Sequence, residues 1–318
     1  MKTLFDHIDL KNKVKISLLL DRMTVRNVLL SFTVVSITST SSFSQVLTLR
    51  NDGAQIEKSE TNPKPIPELS ISADPFLQGQ SYDFPSGGVV TRGRLMAKVE
   101  AADLNVLPYL LVGRLSVGGS GCTAQFVHSS TTLLTAAHCV YDIRNRQWLK
   151  GFEFMLATNR EYFGNSDLEC ISIPSKYAEI PGNEYSLERF KYDYAWIKLR
   201  RSGPGHLELK FNLEGTGGQG SNEYGDFKAV GYPTNYGDHR IMQTVNGTLG
   251  SLSKPHGLAS MVGNLMRSGS SGGAWISDDN SAIGLNSFTN SERPGVMYSP
   301  YFDDLFSIVL DSAKNNCR

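Results

Sequence analysis

The chain has 318 residues with 31 basic and 31 acidic side chains, so its formal net charge is zero. That balance gives no electrostatic reason to expect nucleic acid or an anionic membrane as the main partner. Hydrophobic residues make up 40% of the chain, which is ordinary for a globular protein of one or two domains. No run of 18 or more apolar residues occurs, so no stable membrane span is predicted.

Residues 1–44 have the layout of a secretory signal region. An apolar stretch at 28–38 follows two arginines and precedes a Ser/Thr-rich sequence, with cleavage predicted before Gln45. The long polar stretch in front makes Met23 a candidate for the true start. An uncleaved anchor is the alternative, although the apolar stretch is short for a membrane span. The signal predicts a secreted protein, either extracellular or periplasmic.

Residues 45–104 have few apolar runs and are rich in Ser, Asn, Pro, Gly and charged residues. Such a composition cannot bury enough surface to fold alone, which predicts a propeptide or a disordered linker. The sequence TRGR at 91–94 offers basic sites for processing, and a zymogen is therefore expected.

The sequence pattern changes at about residue 105, where short apolar segments begin to alternate with Gly, Pro, Asn and Ser, as in all-β proteins. The strand candidates are 110–117, 123–129, 131–137, 152–157, 194–199, 228–233, 243–252, 272–277, 281–289 and 295–299. A single C-terminal helix is predicted from the helical spacing of Phe302, Leu305, Phe306, Val309 and Leu310. Residues 105–318 are thus predicted to form one β-rich domain.

Four cysteines in an exported chain predict disulfides. Cys122 and Cys139 lie close in sequence on either side of a predicted strand pair. Cys170 and Cys317 are the remaining two and could pair by default, which the sequence leaves open. A bridge that closes the shorter loop is expected to contribute about 3 kcal/mol. Metal binding is the weaker alternative, because no CxxC or HxxxH cluster accompanies these thiols, and no metal is predicted.

The strongest local motif is LLTAAHC at 133–139. Histidine is suited to general base catalysis near neutral pH, although a single histidine is more often an ordinary core or surface residue. His138 differs from the other five histidines because it lies in a β-rich run of small residues directly before a cysteine.

The second motif is GSSGGAW at 269–275. Glycines around a serine permit tight turns and can leave backbone N–H groups free to stabilise an oxyanion. A flexible linker is the alternative, but residues 274–288 are typical of paired strands rather than of a linker.

The third motif is KYDYAWIKL at 191–199, where Asp193 precedes an apolar strand. A carboxylate in this position can orient an imidazole and stabilise its protonated form. By itself, a plain turn aspartate is the simpler interpretation.

The three motifs occur in the order His, Asp, Ser, which is the order of chymotrypsin-type peptidases. Over residues 108–315 the sequence resembles the chymotrypsin-like (trypsin-like) serine endopeptidase family. TAAHC, DYAWIKL and GSSGGAW carry the resemblance, together with the run at 294–309 that resembles the entry to the family's C-terminal helix.

The resemblance implies an all-β fold of two antiparallel six-stranded β-barrels, about 105–205 and 206–300, followed by a C-terminal α-helix. It implies a catalytic triad of His138, Asp193 and Ser271 in the cleft between the barrels. The N–H groups of Gly269 and Ser271 would form the oxyanion hole. Protein or peptide substrates, no cofactor and a monomeric state are expected.

Two departures from the family pattern bear on activation and specificity. Ser270 replaces the aspartate that pairs with a new N-terminus in digestive members, and no IVGG-like N-terminus is evident. Both features are similar to the bacterial glutamyl endopeptidase branch. That branch places a histidine where this chain has Asn286, which leaves the preference for glutamate in doubt.

The resemblance also implies a substrate-binding region. Its predicted members are Leu265, Met266, Asn286, Ser287, Phe288 and Gly295. An apolar side chain is the expected preference, because an unpaired charge would be costly to bury there. A shift of one residue in the serine loop would move the nucleophile to Ser270, although the glycines at 272–273 favour Ser271.

Three competing functions follow from the same sequence. A secreted binding or adhesion protein could keep the fold without catalysis, but such proteins normally lose a triad member. An esterase with a GxSxG motif would need Ser before His and a strand–helix context. A structural envelope protein does not explain four ordered motifs.

Overall fold

The computed structural model describes residues 45–51, 62–63, 68–69, 97–98 and 103–317, with gaps at 158–159, 183–184, 212–226, 237, 254–256, 292 and 316. The predicted signal region and most of the predicted propeptide or linker lie outside these residues. No helix in the described part of the chain is long and apolar enough to cross a membrane.

The first sheet contains nine strands. They are β1 (Val46–Arg50), β2 (Asn62–Pro63), β5 (Val112–Val117), β6 (Ser120–Phe126), β7 (Thr132–Thr135), β10 (Phe152–Leu156), β11 (Tyr162–Phe163), β12 (Leu168–Pro174) and β13 (Ala195–Leu199). Their order in space is β1-β12-β13-β7-β6-β5-β10-β11, and β2 adds to β6 in parallel.

The second sheet contains ten strands. They are β3 (Glu68–Leu69), β4 (Ala97–Lys98), β14 (Glu208–Leu209), β15 (Phe227–Gly231), β16 (Gln243–Ser253), β17 (Leu258–Val262), β18 (Ala274–Ile276), β19 (Ser281–Leu285), β20 (Phe288–Asn290) and β21 (Val296–Pro300). Their order is β14-β19-β18-β15-β16-β17-β21-β20-β3, and β4 pairs with β16. A separate hairpin joins β8 (Tyr141–Asp142) to β9 (Gln147–Trp148).

The described residues also form three α-helices: α1 (Ser175–Glu179), α2 (Leu187–Phe190) and α3 (Asp304–Lys314). The predicted C-terminal helix is confirmed as α3. The side chain of Asp303 caps it by accepting a hydrogen bond from the N–H of Phe306 at 3.0 Å. Phe306 is fully buried and contacts the ring of Trp196, so α3 packs on the first sheet.

The long strands form because their sequences can bury one or both faces. In β10, the residues FEFML alternate between buried and half-buried, as a strand with one face in the core requires. Strand β7 is instead buried at all four positions, so both of its faces are covered. The predicted all-β architecture with a C-terminal helix is thereby confirmed.

Among the strands of five or more residues, β1, β12 and β17 are not predicted by the sequence pattern. β1 pairs antiparallel with β12 over its whole length, from Val46 opposite Pro174 to Arg50 opposite Cys170. The guanidinium of Arg50 also donates to the carbonyl oxygen of Cys317 at 3.2 Å. An N-terminal segment that cannot fold alone is therefore ordered here by an existing sheet edge.

Two disulfides join Cys122 to Cys139 and Cys170 to Cys317, with Cα–Cα distances of 6.2 and 6.1 Å. The predicted pairs are confirmed. The first bridge ties β6 to the residue after His138, and the second ties β12 to the C-terminal end of the chain.

Candidate active site

His138 and Asp193 are brought together by the pairing of two central strands. β7 and β13 run antiparallel with Thr135 opposite Ala195. His138 follows the end of β7 in a short 3-10 turn, and Asp193 lies two residues before β13 begins. The register of one strand pair therefore places a base and a carboxylate side by side.

Two hydrogen bonds join this pair. Nδ1 of His138 lies 2.8 Å from Oδ2 of Asp193, and the backbone N–H of His138 donates to Oδ1 at 2.9 Å. Asp193 is completely buried, and His138 is 6% exposed. The double contact fixes both the position and the orientation of the imidazole ring, as general base catalysis requires.

The electrostatics of Asp193 are set by opposing effects. Burial by itself raises the pKa of this carboxyl, but the charge of His138 and hydrogen bonds from His138 and Ser287 outweigh it, so that the pKa lies below its ordinary value. A carboxylate that is buried and fully bonded remains ionised while water is excluded around it.

The hydrogen bond from Ser287 was missed by the sequence analysis. Ser287 lies on the second sheet between β19 and β20, and its hydroxyl donates to Oδ2 of Asp193 at 2.5 Å. The sequence analysis assigned Ser287 to the substrate-binding edge. No spacing pattern connects positions 94 residues apart, so only the folded chain could show this contact.

The glycine-rich serine loop is held against β6 of the first sheet. The backbone N–H of Thr123 donates to the carbonyl oxygen of Ser271 at 2.8 Å, and its hydroxyl donates to the carbonyl oxygen of Gly269 at 2.9 Å. The Sγ atom of Cys139, the residue after His138, lies 3.8 Å from the same Ser271 oxygen. The serine loop thus contacts the disulfide whose second cysteine directly follows His138.

Gly272 shows why this loop needs glycine. Its φ is +82°, and a Cβ atom there would meet the carbonyl oxygen of Thr123 at 2.5 Å and the backbone nitrogen of Ala136 at 2.8 Å. A side chain would be strained by both the backbone angle and the close approach to β6. The glycine therefore permits the contact between the loop and the first sheet.

The two adjacent serines of the loop have different environments. The hydroxyl of Ser270 donates to the carbonyl oxygen of Arg267 at 2.8 Å, whereas the buried hydroxyl of Ser271 has no hydrogen-bond partner among the described residues. Within the same part of the chain, the N–H groups of Gly269 and Ser271 donate to no carbonyl. These three groups are the ones that a nucleophile and an oxyanion hole would supply.

Asn286 holds the serine loop in place through several hydrogen bonds. Its side-chain oxygen accepts hydrogen bonds from Asn264 and Trp275, both at 2.9 Å, and its amide nitrogen donates to the carbonyl oxygen of Ser270 at 3.2 Å. Its backbone also exchanges hydrogen bonds with Gly272 and Gly273. Asn286, which the sequence predicts to bind substrate, is thus fully buried and stabilises the serine loop in this structure.

The other predicted substrate-binding residues have different degrees of burial. Met266 is fully buried in the core of the second sheet, and Leu265 is half-buried beside it. Phe288 is stacked on the ring of Phe190 at 4.1 Å. Gly295 has a φ of +86° and accepts a hydrogen bond from Gly263.

Cys122, His138 and Cys139 place potential metal-ligand atoms within 4.8 Å of one another. The two sulfur atoms are joined in a disulfide, so neither is available as a thiolate ligand. This cluster therefore does not provide the ligands of a metal site.

The chymotrypsin-like class is defined by this combination of two large β-sheets, a C-terminal helix, a buried His–Asp pair and a glycine-flanked serine loop that contacts the disulfide next to the histidine. The model of the trypsin family matches residues 100–303, and this chain belongs to that family. No curated protein sequence matches the chain significantly.

Two of the solved structures that share the fold illustrate the likeness. A Glu endopeptidase, solved in complex with MPD, has 21% sequence identity and a TM-score of 0.55, with 69% of this chain and 96% of that chain covered. The protease Anisep from Arthrobacter nicotinovorans has 18% identity and a TM-score of 0.52, with coverages of 69% and 99%. At such identities the likeness shows the fold alone.

Proposed function

We propose that this protein is a secreted, monomeric serine endopeptidase that hydrolyses peptide bonds through an acyl-enzyme intermediate. The observation that carries the proposal is the buried contact of 2.8 Å between His138 and Asp193, beside a serine hydroxyl that lacks a partner among the described residues. Membership of the trypsin family supports the same chemistry.

In the proposed mechanism, Oγ of Ser271 attacks the scissile carbonyl carbon while His138 accepts the hydroxyl proton. The N–H groups of Gly269 and Ser271 donate to the oxyanion, and His138 then protonates the leaving amine. Water then attacks the carbonyl carbon of the resulting ester. His138 accepts a proton from this water and returns it to Oγ of Ser271 as the acid product leaves. Asp193 stays ionised and stabilises the imidazolium that forms in both steps.

We also propose an apolar preference at the primary specificity site. The residues predicted to line it include Leu265 and Met266, and neither supplies a charge for an acidic or basic substrate side chain. An unpaired charge would be costly to bury against them. Cleavage-site profiling with a peptide library tests this preference, and efficient cleavage after glutamate or lysine would contradict it.

Labelling with a fluorophosphonate tests the proposed nucleophile. The reagent is expected to modify Ser271 in the folded, processed protein and to leave a Ser271→Ala variant unlabelled. Ser270→Ala is the matched control, because it removes the neighbouring hydroxyl that already donates to Arg267. Label on Ser270 would move the nucleophile by one residue, and no label at all would favour a non-catalytic binding protein.

The N-terminal segment is proposed to act as a propeptide. Its residues Glu68–Leu69 pair with Thr289–Asn290 of β20, next to the edge proposed for substrate, and Asn62–Pro63 pair with β6 beside Cys122. Both pairs are parallel. A segment that occupies these edges would compete with substrate until it is removed.

A further inference from the structure

A cavity of about 260 Å³ lies between the two sheets, outside the His–Asp–Ser cluster. The first sheet contributes residues of β5 and β10 to its wall, and the second contributes Tyr232 and residues 240–242, which connect β15 to β16. Apolar side chains form part of the wall, among them Met155, Leu156 and Ile241. Neither the proposed mechanism nor the family match gives this cavity a role.

Arg114 is the first unusual feature of the cavity. It lies on β5 and is half-buried, and its guanidinium makes no hydrogen bond or ion pair in the described part of the chain. Burial lowers the pKa of Arg114, because the charged form loses hydration without gaining an acceptor. A cation held in this way is normally paired with an anion.

The Tyr232 hydroxyl is the second unusual feature of the cavity. Tyr232 is 3% exposed, and its hydroxyl has no hydrogen-bond partner among the described residues. Burial also raises the pKa of Tyr232, so the hydroxyl keeps its proton and can act as a donor. Buried polar groups are nearly always satisfied, and this unsatisfied donor belongs to a residue of the cavity wall.

The rim of the cavity has an excess of positive charge. Arg160 and Arg240 lie there with exposed side chains, and Arg240 is paired with Asp238 at 2.9 Å. Together with Arg114, three guanidinium groups face one carboxylate. This excess of positive charge attracts an anion to the opening of the cavity.

The cavity wall is linked to the serine loop through one residue. Arg114 lies opposite Thr123 in the β5–β6 pair, and the N–H of Tyr232 donates to the Thr123 hydroxyl at 3.2 Å. Thr123 in turn donates to the carbonyl oxygens of Gly269 and Ser271. A group bound in the cavity is therefore separated from the proposed oxyanion hole by a single hydrogen-bonded side chain.

We propose that this cavity is a carboxylate-binding site that takes a carboxylate carried by an apolar group. The fork of a guanidinium matches the two oxygens of a carboxylate, and the Tyr232 hydroxyl supplies a further donor. The apolar part of the wall receives the hydrocarbon portion. The carboxylate comes either from an acidic residue of the peptide substrate or from a separate molecule; only the first source rests on the proposed function.

Binding is tested first without catalysis, with the full-length Ser271→Ala variant and hexanoate as the probe. Calorimetric titration is expected to show binding of hexanoate and at least about tenfold weaker binding of hexanamide, which has the same shape without the charge. Arg114→Gln is expected to weaken hexanoate binding about tenfold or more, and Tyr232→Phe by less. Lys314→Gln, which removes one positive charge from α3, is the control and should leave the affinity unchanged.

The second experiment identifies the source with active enzyme. Peptides that carry Asp or Glu at successive positions after the cleaved bond are compared with their Asn and Gln counterparts. A gain in kcat/KM that disappears in Arg114→Gln places the carboxylate in the substrate, and hexanoate binding without such a gain places it on a separate molecule. Equal binding of hexanoate and hexanamide, or no effect of Arg114→Gln in a variant with unchanged Tm, overturns the carboxylate site. Because the titration needs no turnover, that result leaves the peptidase proposal untouched.

Discussion

The Ser287 hydroxyl donates a 2.5 Å hydrogen bond to Oδ2 of Asp193, the oxygen that also faces Nδ1 of His138. Asp193 precedes a strand of the first sheet, and Ser287 lies on the second. One carboxylate thus receives donors from both halves of the molecule. The position of the imidazole therefore depends on the packing of the two sheets as well as on the β7–β13 register.

Ser287→Ala is expected to change the acid stability of the protein. Because the pKa of Asp193 is lowered on folding, its stabilising contribution is present above the ordinary carboxyl pKa and is lost as the pH falls through the folded-state value. Loss of the Ser287 donor raises that folded-state value, so the acid-dependent part of the stability should be smaller and its loss should be complete at a higher pH. Urea unfolding between pH 3 and pH 7 measures the shift. Ser299→Ala removes a buried hydroxyl that bonds only to neutral backbone groups, and it should lower stability without shifting this pH dependence.

Asp193→Asn is expected to lower kcat by about 10⁴-fold while the fold is retained. The amide cannot stabilise the imidazolium and favours the wrong tautomer of His138. Single-turnover kinetics on a peptide ester would separate this loss from any change in binding. A variant with normal circular dichroism and nearly full activity would remove Asp193 from the proposed triad.

Gly272→Ala is expected to destabilise the protein by about 3 kcal/mol, because the methyl group collides with backbone of β6 and β7 and the residue has a positive φ. Gly182→Ala provides a matched control, since its φ is +91° and no atom of the described residues contacts the added Cβ within 4 Å. That control should lose only about 1 kcal/mol. Chemical unfolding of both variants gives the comparison, and equal losses would show that the contact with β6 is unimportant.

Removal of the Cys170–Cys317 bridge should cost more stability than removal of the Cys122–Cys139 bridge. The two cysteine pairs are separated by 147 and 17 residues, and loop-closure entropy then predicts losses of about 5 and about 3 kcal/mol. Cys-to-Ser double variants and thermal unfolding measure both values. Removal of the Cys122–Cys139 bridge should cause the smaller loss of stability but the larger fall in activity, because this bridge borders His138.

The proposed propeptide predicts that processing within residues 91–94 increases activity. An Arg92→Gln/Arg94→Gln variant should stay uncleaved and show a higher KM for peptide substrates than the processed protein, because the parallel strand pairs remain in place. Lys98→Gln retains both basic sites and serves as the control. Equal KM values for cleaved and uncleaved protein would contradict the proposal that this segment competes with substrate.

Strand β1 makes a further prediction about the processed protein. Its pairing with β12 and the hydrogen bonds from Arg50 to Cys317 hold it to the peptidase domain without the intervening chain. After cleavage at 91–94, the fragment that begins near residue 45 should therefore co-purify with the rest under native conditions. Strands β2 and β3 pair over only two residues each, so cleavage frees them to leave their edges while β1 stays bound. Native and denaturing mass spectrometry would distinguish this complex from a protein that has lost the strand.

The sequence by itself determined the features that are encoded locally. Alternating apolar residues predicted most of the long strands, and residues at helical spacing predicted α3. The motifs around His138, Asp193 and Ser271 predicted the family, because each needs a specific residue type within a few positions. The cysteines were paired correctly since one pair was close in sequence and only one other combination remained.

The tertiary structure alone decided the contacts between positions that are distant in sequence. The Ser287–Asp193 bond, the role of Asn286 behind the serine loop and the Arg114–Tyr232 cavity each depend on how the two sheets meet. Strand β1 was missed for a related reason: its residues gain strand structure only because β12 offers an unpaired edge. Local patterns record the propensity of a segment, whereas burial and hydrogen-bond partners are set by neighbours that the pattern does not contain.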